Sequence, residues 1–444
     1  MPPLREELTL HPGPRTPSGV PTWTLQDPAN NRFFRIGWAE FEMLSRWDLG
    51  SMEAIAEAVS RDTTLDLAGD RVEAFVRFLA GCSLLQVRGE QAVGGLVRQA
   101  QAQRRHWAAW MLKNYLFFRI PLVRPDGFLT ATRGLVGWVF SPGFLALVLA
   151  AAAAGGWLVV RQWDGFIHSF SYFFSIEGAL LAALALGLSK VLHELGHAYV
   201  ANRFGCRVPT MGLAFLVLWP VLYTDTSEAW KLPSRRPRLA IGAAGMATEL
   251  ALAALATLAW AFLPDGPARS ACFLLATTTW ILTLVVNLNP FMRFDGYYLL
   301  SDWLDIANLQ DRSFALARWR LREALFGLGD PRPERFERHV EHLLIAYAVA
   351  TWIYRFFLFL GIALLVYHLF FKALGIVLFA VELAWFIARP VLGELRVWAS
   401  RRREVRLNRQ TALSLFMLSA ALAAVVIPWR STVPAPALLR AEQQ

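Results

Sequence analysis

The sequence predicts a mainly α, polytopic membrane helix bundle of about seven spans plus a re-entrant segment, with a small winged-helix-like N-terminal domain on the cytoplasmic side. Three observations carry this reading. Hydrophobic residues make up 56% of the 444 positions and charged residues only 18%, with 18 Trp and 31 Phe, a balance unlike that of soluble multidomain chains. Apolar segments close to the length of about 20 residues that crosses a bilayer fall at about 137–160, 174–201, 238–263, 270–290, 343–370, 373–389 and 411–429. The loops between them alternate between arginine-rich and nearly uncharged.

Taken in order, residues 1–19 are polar and rich in Pro and Gly, and are expected to be a disordered tail. Residues 20–98 have soluble composition. TWTLQD and RFFRIG, joined by PANN, read as a β-hairpin, and GWAEFEMLSRWD, SMEAIAEAVS and GDRVEAFVRFLAGCSLL as three helices. This stretch holds more Asp and Glu than Arg and no Lys, which excludes a phosphate-reading surface and hence a nucleic-acid partner. A peptide partner, added as a strand to an edge of the hairpin, fits better. Residues 99–136 form a linker; over Gln99 to Arg124, Trp and Phe alternate with Arg and Lys as in an amphipathic helix at a membrane interface.

The spans occupy 137–429. Arg203 to Arg236, Arg312 to Arg338 and Arg396 to Arg409 concentrate positive charge in three loops, which the positive-inside rule places in the cytoplasm. The N-terminus is then cytoplasmic, and the tail 430–444 lies outside. MGLAFLVLWPVLY at 211–223 is too short to cross and is expected to re-enter the membrane. The three cysteines are far apart and suggest neither a metal site nor a disulfide framework.

Inside the second span stands HELGH. Residues four apart share a helix face, so His193 and His197 can offer imidazole nitrogens to one ion, with Glu194 beside them as general base. Ionisable groups inside a span are costly and point to function. A third ligand is available in NLNPFMRFDGYY at 287–298. The fourth span runs inward to this stretch, and HELGH ends only six residues before Arg203, so both motifs sit at similar depth. Asp295 then completes a set of two His and one Asp that leaves a fourth tetrahedral position for water, as one catalytic zinc requires. Zinc lowers the pKa of that water to about 7, and Glu194 takes its proton. Lys190, one turn before His193, and Glu249, in AGMATELALA, are candidate supporting groups, paired with each other or with the site. Asp225 is expected to cap the SEAW turn.

HELGH followed some ninety residues later by Asn287, Pro290, Asp295 and Gly296 resembles the site-2 protease family of intramembrane zinc metallopeptidases, peptidase family M50, over roughly 174–300. The resemblance implies His193, His197 and Asp295 as zinc ligands, Glu194 as catalytic acid and base, and Asn287 as a polar group near the scissile peptide or its oxyanion. PVLYTDTSEAW and RFDGYYLLSDWLDIANL bring the chain nearest to a bacterial subgroup named for peptide zinc metalloproteases, in which residues 20–98 look like a PqqD-like peptide carrier domain. Membership implies a multi-pass protein of the bacterial inner membrane, with the bilayer and a peptide or membrane-protein substrate as partners. VPAPALLRAEQQ looks like the start of a periplasmic adaptor module, so an export component with an adaptor-type partner is the alternative function.

Overall fold

The computed structural model describes residues 1–14, 16, 19–86, 117–170, 175–216, 219–369, 372, 376, 379–381, 383–405 and 408–426. The chain divides into two units, Met1–Ile306 and Ala307–Gln444.

The first unit opens with an antiparallel sheet of β1 (Thr9–Pro12), β2 (Trp23–Asp27) and β3 (Arg32–Ile36), in that spatial order. Three helices follow: α1 (Trp38–Ser45), α2 (Met52–Asp62) and α3 (Gly69–Gly81). On α2, Ile55, Ala58 and Val59 are buried, and on α3, Val72, Phe75 and Leu79. This three-and-four spacing gives each helix one apolar face, and both faces close over Leu25 and Ile36 of the sheet. The hairpin and three helices lie where the pattern predicts them. The expected disordered tail needs correction. Its residues 9–12 form β1 on β2, and Arg5 pairs with the fully buried Asp27 at 3.0 Å. A buried carboxylate requires such a partner, and composition gave no sign of it. Because β2 is hydrogen-bonded on both sides, TWTLQD offers no free edge to an incoming strand.

Residues 87–116, the end of the N-terminal stretch and the first part of the linker, lie outside the described residues. The far part of the linker departs from the helical expectation: β4 (Phe117–Val123) is a strand, paired antiparallel with β5 (Met211–Leu216), which pairs in turn with β6 (Trp219–Thr224). The apolar run expected to re-enter the membrane is therefore the β5–β6 hairpin. Gly212 is required there, because a Cβ at that position would stand 2.1 Å from the Ile120 carbonyl oxygen. Between the linker strand and this hairpin come α4 (Asp126–Val136), α5 (Pro142–Arg161) and α6 (Ile176–Arg203). After them come α7 (Arg235–Phe262), α8 (Pro267–Leu282) with a π-turn over Thr283–Asn287, and α9 (Asp295–Leu304).

The burial of α6 is the reverse of a soluble helix. Ala185, Ser189, His193, His197 and Ala201, each four residues from the last, face the protein, while Leu180, Leu184 and Leu188 are exposed by 54–71%. Small and polar residues inside with leucine outside is the pattern of a helix packed in lipid. Close approach depends on glycine at two contacts with α7: Gly155 of α5 lies against the Leu258 backbone, and Gly196 of α6 against Thr248 and the Ala244 carbonyl. Five helices among the described residues are long and apolar enough to cross a membrane: Pro142–Arg161, Ile176–Arg203, Arg235–Phe262, Pro267–Asn287 and Arg338–His368. The expected spans at 373–389 and 411–429 run partly over residues outside the description, as does the tail 430–444.

The N-terminal sheet meets the membrane core within this first unit. Asn31 donates to Asp225 at 3.0 Å, Thr24 donates to the Trp230 carbonyl, and Arg35 pairs with Asp305. Arg238, buried in α7, binds Asp302 at 2.9 Å and Asp305 at 2.6 Å, just past the end of α9. Burial raises the Asp302 pKa above its usual value, and Arg238 opposes that rise. The second unit holds α10 (Leu309–Phe326), α11 (Arg338–Leu369), α12 (Arg389–Ser400) and α13 (Arg409–Val426). Its polar residues pair closely: Arg322 with Glu394 at 2.5 Å and Arg401 with Asp330 at 2.6 Å.

Candidate metal centre

α6 presents His193 and His197 on its buried face, with their Nε2 atoms 3.2 Å apart. The π-turn and the loop that follows it return the chain so that Asp295, the first residue of α9, projects back at them. Its Oδ2 lies 2.9 Å from His193 Nε2 and 3.4 Å from His197 Nε2. Ligands held tetrahedrally at about 2.0–2.1 Å from one ion stand roughly 3.3 Å from one another. The three observed edges bracket that value, so the donor triangle fits one face of a zinc tetrahedron. No other group of His, Cys, Asp or Glu among the described residues is arranged to hold a metal.

The histidines are oriented from behind. His197 Nδ1 sits 2.6 Å from the Ile241 carbonyl oxygen of α7, which places the proton on Nδ1 and leaves the Nε2 lone pair for a metal. Behind His193, Glu249 Oε2 lies 3.3 Å from Nδ1, out of line for a hydrogen bond. Glu249 is only 1% exposed and is the hub of this layer. Lys190 donates to one of its oxygens, and Thr283 and Asn287 donate to the other at 2.5 and 2.8 Å. One of the two Asn287 amide hydrogens is thus committed to Glu249 rather than to an oxyanion.

Glu194 differs from all of these. Its backbone carbonyl accepts from Thr224 at the end of β6, at 3.1 Å. Its carboxylate is half-buried and makes no hydrogen bond or ion pair among the described residues, which leaves it available for proton transfer. Asp225, next along the chain from Thr224, caps Ser227 and holds Asn31.

Gly245 is a residue that the motifs did not single out. A Cβ there would stand 2.4 Å from His197 Nε2 and 2.5 Å from His193 Nε2. The glycine keeps open the space onto which both nitrogens converge. Its only sequence signal was a glycine one helical turn before the intramembrane Glu249. Gly296 is similarly constrained, its Cβ position lying 2.2 Å from the Leu288 carbonyl, so the turn that delivers Asp295 tolerates no side chain.

Comparison with known proteins meets this geometry at the same place. Residues 181–288 match the sequence model of Peptidase family M50. That match supports the resemblance to the site-2 protease family. It is also 26% identical over 137 residues to the "Putative peptide zinc metalloprotease protein YydH" of Bacillus subtilis (strain 168), an alignment covering 31% of this chain and 52% of that one. The chain therefore spans about half the length of that relative. No solved structure matches. The M50 segment contains HELGH and ends at Leu288, just past the π-turn; Asp295 lies beyond it and joins the site through the fold.

The layer behind the histidines also bears on stability. Glu249→Leu is expected to lower it by about 3–5 kcal/mol, because Lys190, Thr283 and Asn287 would lose a shared buried acceptor. Thermal unfolding in detergent measures this. A loss below about 1 kcal/mol would mean that Lys190, itself partly exposed, swings its ammonium to water once released.

Proposed function

We propose that the chain is a zinc-dependent intramembrane endopeptidase that hydrolyses peptide bonds of a peptide or membrane-anchored substrate. Cleavage would occur near the cytoplasmic, arginine-rich ends of its spans, in a bacterial inner membrane with the N-terminus inside and the C-terminus in the periplasm. One observation carries the reading: three donors at mutual distances of 2.9–3.4 Å beside a glutamate with no other partner. His193, His197 and Asp295 would hold a single ion. Zinc, when bound, supplies a Lewis acid that polarises the scissile carbonyl and acidifies water. Glu194 takes the proton from the attacking water and returns it to the leaving amine, so one water is consumed for each bond cut. The Ile241 carbonyl fixes the His197 imidazole, and the Glu249 carboxylate behind His193 would favour the positive charge drawn onto that ring.

Substrate presentation follows from the sheet. β6 is paired only with β5 among the described residues and is tied at Thr224 to Glu194. An extended peptide added along its open edge would bring main-chain carbonyls past the base. The N-terminal domain, anchored beside Asp225 and Trp230, would recruit that peptide and raise its local concentration.

The purified protein is expected to carry one zinc per chain, and Asp295→Ala to lose most of it, because two imidazoles alone make an incomplete site. Metal analysis after dialysis reads this directly. Full zinc content in the variant would remove Asp295 from the ligand set.

A further inference from the structure

Away from the metal centre, α4 lies along the last turns of α6. Leu129 is fully buried there, packed with Ala198 and Ala201. Thr132 and Tyr199 share a hydrogen bond of 2.8 Å, and Asn202 donates to Thr130 at 3.2 Å. Beside this seam opens a cavity of about 450 Å³, lined by Thr130, Arg133, Gly134, Phe140, Tyr199 and Arg203 among others.

Its electrostatics are one-sided. No carboxylate lines it, and neither Arg133 nor Arg203 has a carboxylate partner among the described residues. Arg35, Arg238, Arg322 and Arg401 all do. The Arg203 guanidinium is held 5.1 Å over the Phe140 ring, so it is positioned and yet uncompensated. A Cβ added at Gly134 or Gly137 would meet nothing within 4 Å, which leaves the mouth open. The surroundings are apolar: Phe128 and Trp138 are 59% exposed and Leu135 77%, at the end of a helix apolar enough to span a membrane. Two exposed arginines, with no carboxylate partner among the described residues, stand beside exposed Trp, Leu and Phe, which combines an anion site with a hydrocarbon rim, as at the headgroup level of a bilayer.

We propose that this cavity binds the phosphate of an anionic phospholipid. The two guanidiniums pair with the phosphate oxygens, and the acyl chains lie along Leu135 and Trp138. The apolar rim favours a lipid over free phosphate, which has no use for it. The bound lipid bridges α4 to α6 six residues beyond His197, about 9 Å along the helix, and so braces the span that carries the histidines without touching them. This inference does not depend on peptidase activity.

Full-length protein reconstituted into vesicles of equal parts phosphatidylcholine and phosphatidylglycerol, then extracted and analysed by native mass spectrometry, tests it. Phosphatidylglycerol is expected to be retained preferentially. Arg133→Gln with Arg203→Gln should weaken that retention about thirtyfold, at roughly fivefold per arginine. Arg402→Gln with Arg403→Gln, which removes equal charge elsewhere, should not. Gly134→Leu fills the mouth with both charges intact and should also lose the lipid, so it decides the matter if the double arginine variant fails to fold. Equal retention by the wild type and Gly134→Leu would overturn the proposal. Displacement of the lipid by millimolar inorganic phosphate would reassign the cavity to a free anion.

Discussion

Glu194→Gln is expected to keep its zinc and to lose cleavage by about two to four orders of magnitude, the usual contribution of a positioned proton-transfer group. The asymmetry comes from the geometry. Glu194 belongs to none of the three short contacts among His193, His197 and Asp295. Its backbone carbonyl, which receives Thr224, is unchanged by the substitution, so β6 should keep its seat. The amide is nearly isosteric but cannot accept the proton. Metal analysis and turnover of a fluorogenic peptide library, run on the same preparation, separate the two effects. Undiminished turnover would mean that another group is the base. Loss of zinc would mean that Glu194 contributes to holding the ion.

What was legible in the sequence was what is local. HELGH places two imidazoles on one helix face by spacing alone, and the helices long and apolar enough to cross a membrane are announced by long apolar runs. Asp295 was within reach because its span ends at the same depth as HELGH, although the turn that delivers it depends on Gly296 passing close under the Leu288 carbonyl. What was not legible depends on partners distant in the chain. Residues 9–12 are polar and look featureless, yet they become a strand once β2 offers an edge and Arg5 finds Asp27. The arginine and aromatic pattern around 117–123 fits an interfacial helix as well as a strand, and pairing with β5 decides between them. That pairing also explains why a 13-residue apolar run at 211–223 satisfies its backbone as a hairpin. The orientation of His197 by the Ile241 carbonyl leaves no trace in side-chain identity, because a main-chain oxygen is present whatever residue occupies the position.

Gly245→Ala should strip the metal centre by forcing α7 and the two imidazoles apart. Alanine favours a helix interior over glycine by about 1 kcal/mol, so local propensity alone makes the variant more stable. The new methyl group, however, would stand within 2.6 Å of His193 Nε2, His193 Cε1 and His197 Nε2, well inside van der Waals contact. Those rings cannot retreat easily, since His197 is tied to Ile241 and His193 is backed by Glu249. The methyl group therefore fills the space that an ion would share. Gly242→Ala on the same helix is the matched control, because its Cβ would meet only the flexible end of Leu299 at 3.2 Å. Zinc analysis of both variants beside thermal unfolding of the metal-free proteins gives the comparison. Gly245→Ala is expected to lose most of its zinc and about 1–2 kcal/mol of apo stability, the clash outweighing the gain in helix propensity, and Gly242→Ala to keep both. Full zinc in Gly245→Ala would show that α7 can draw back from the histidines, and that the space in front of their Nε2 atoms is not set by this glycine.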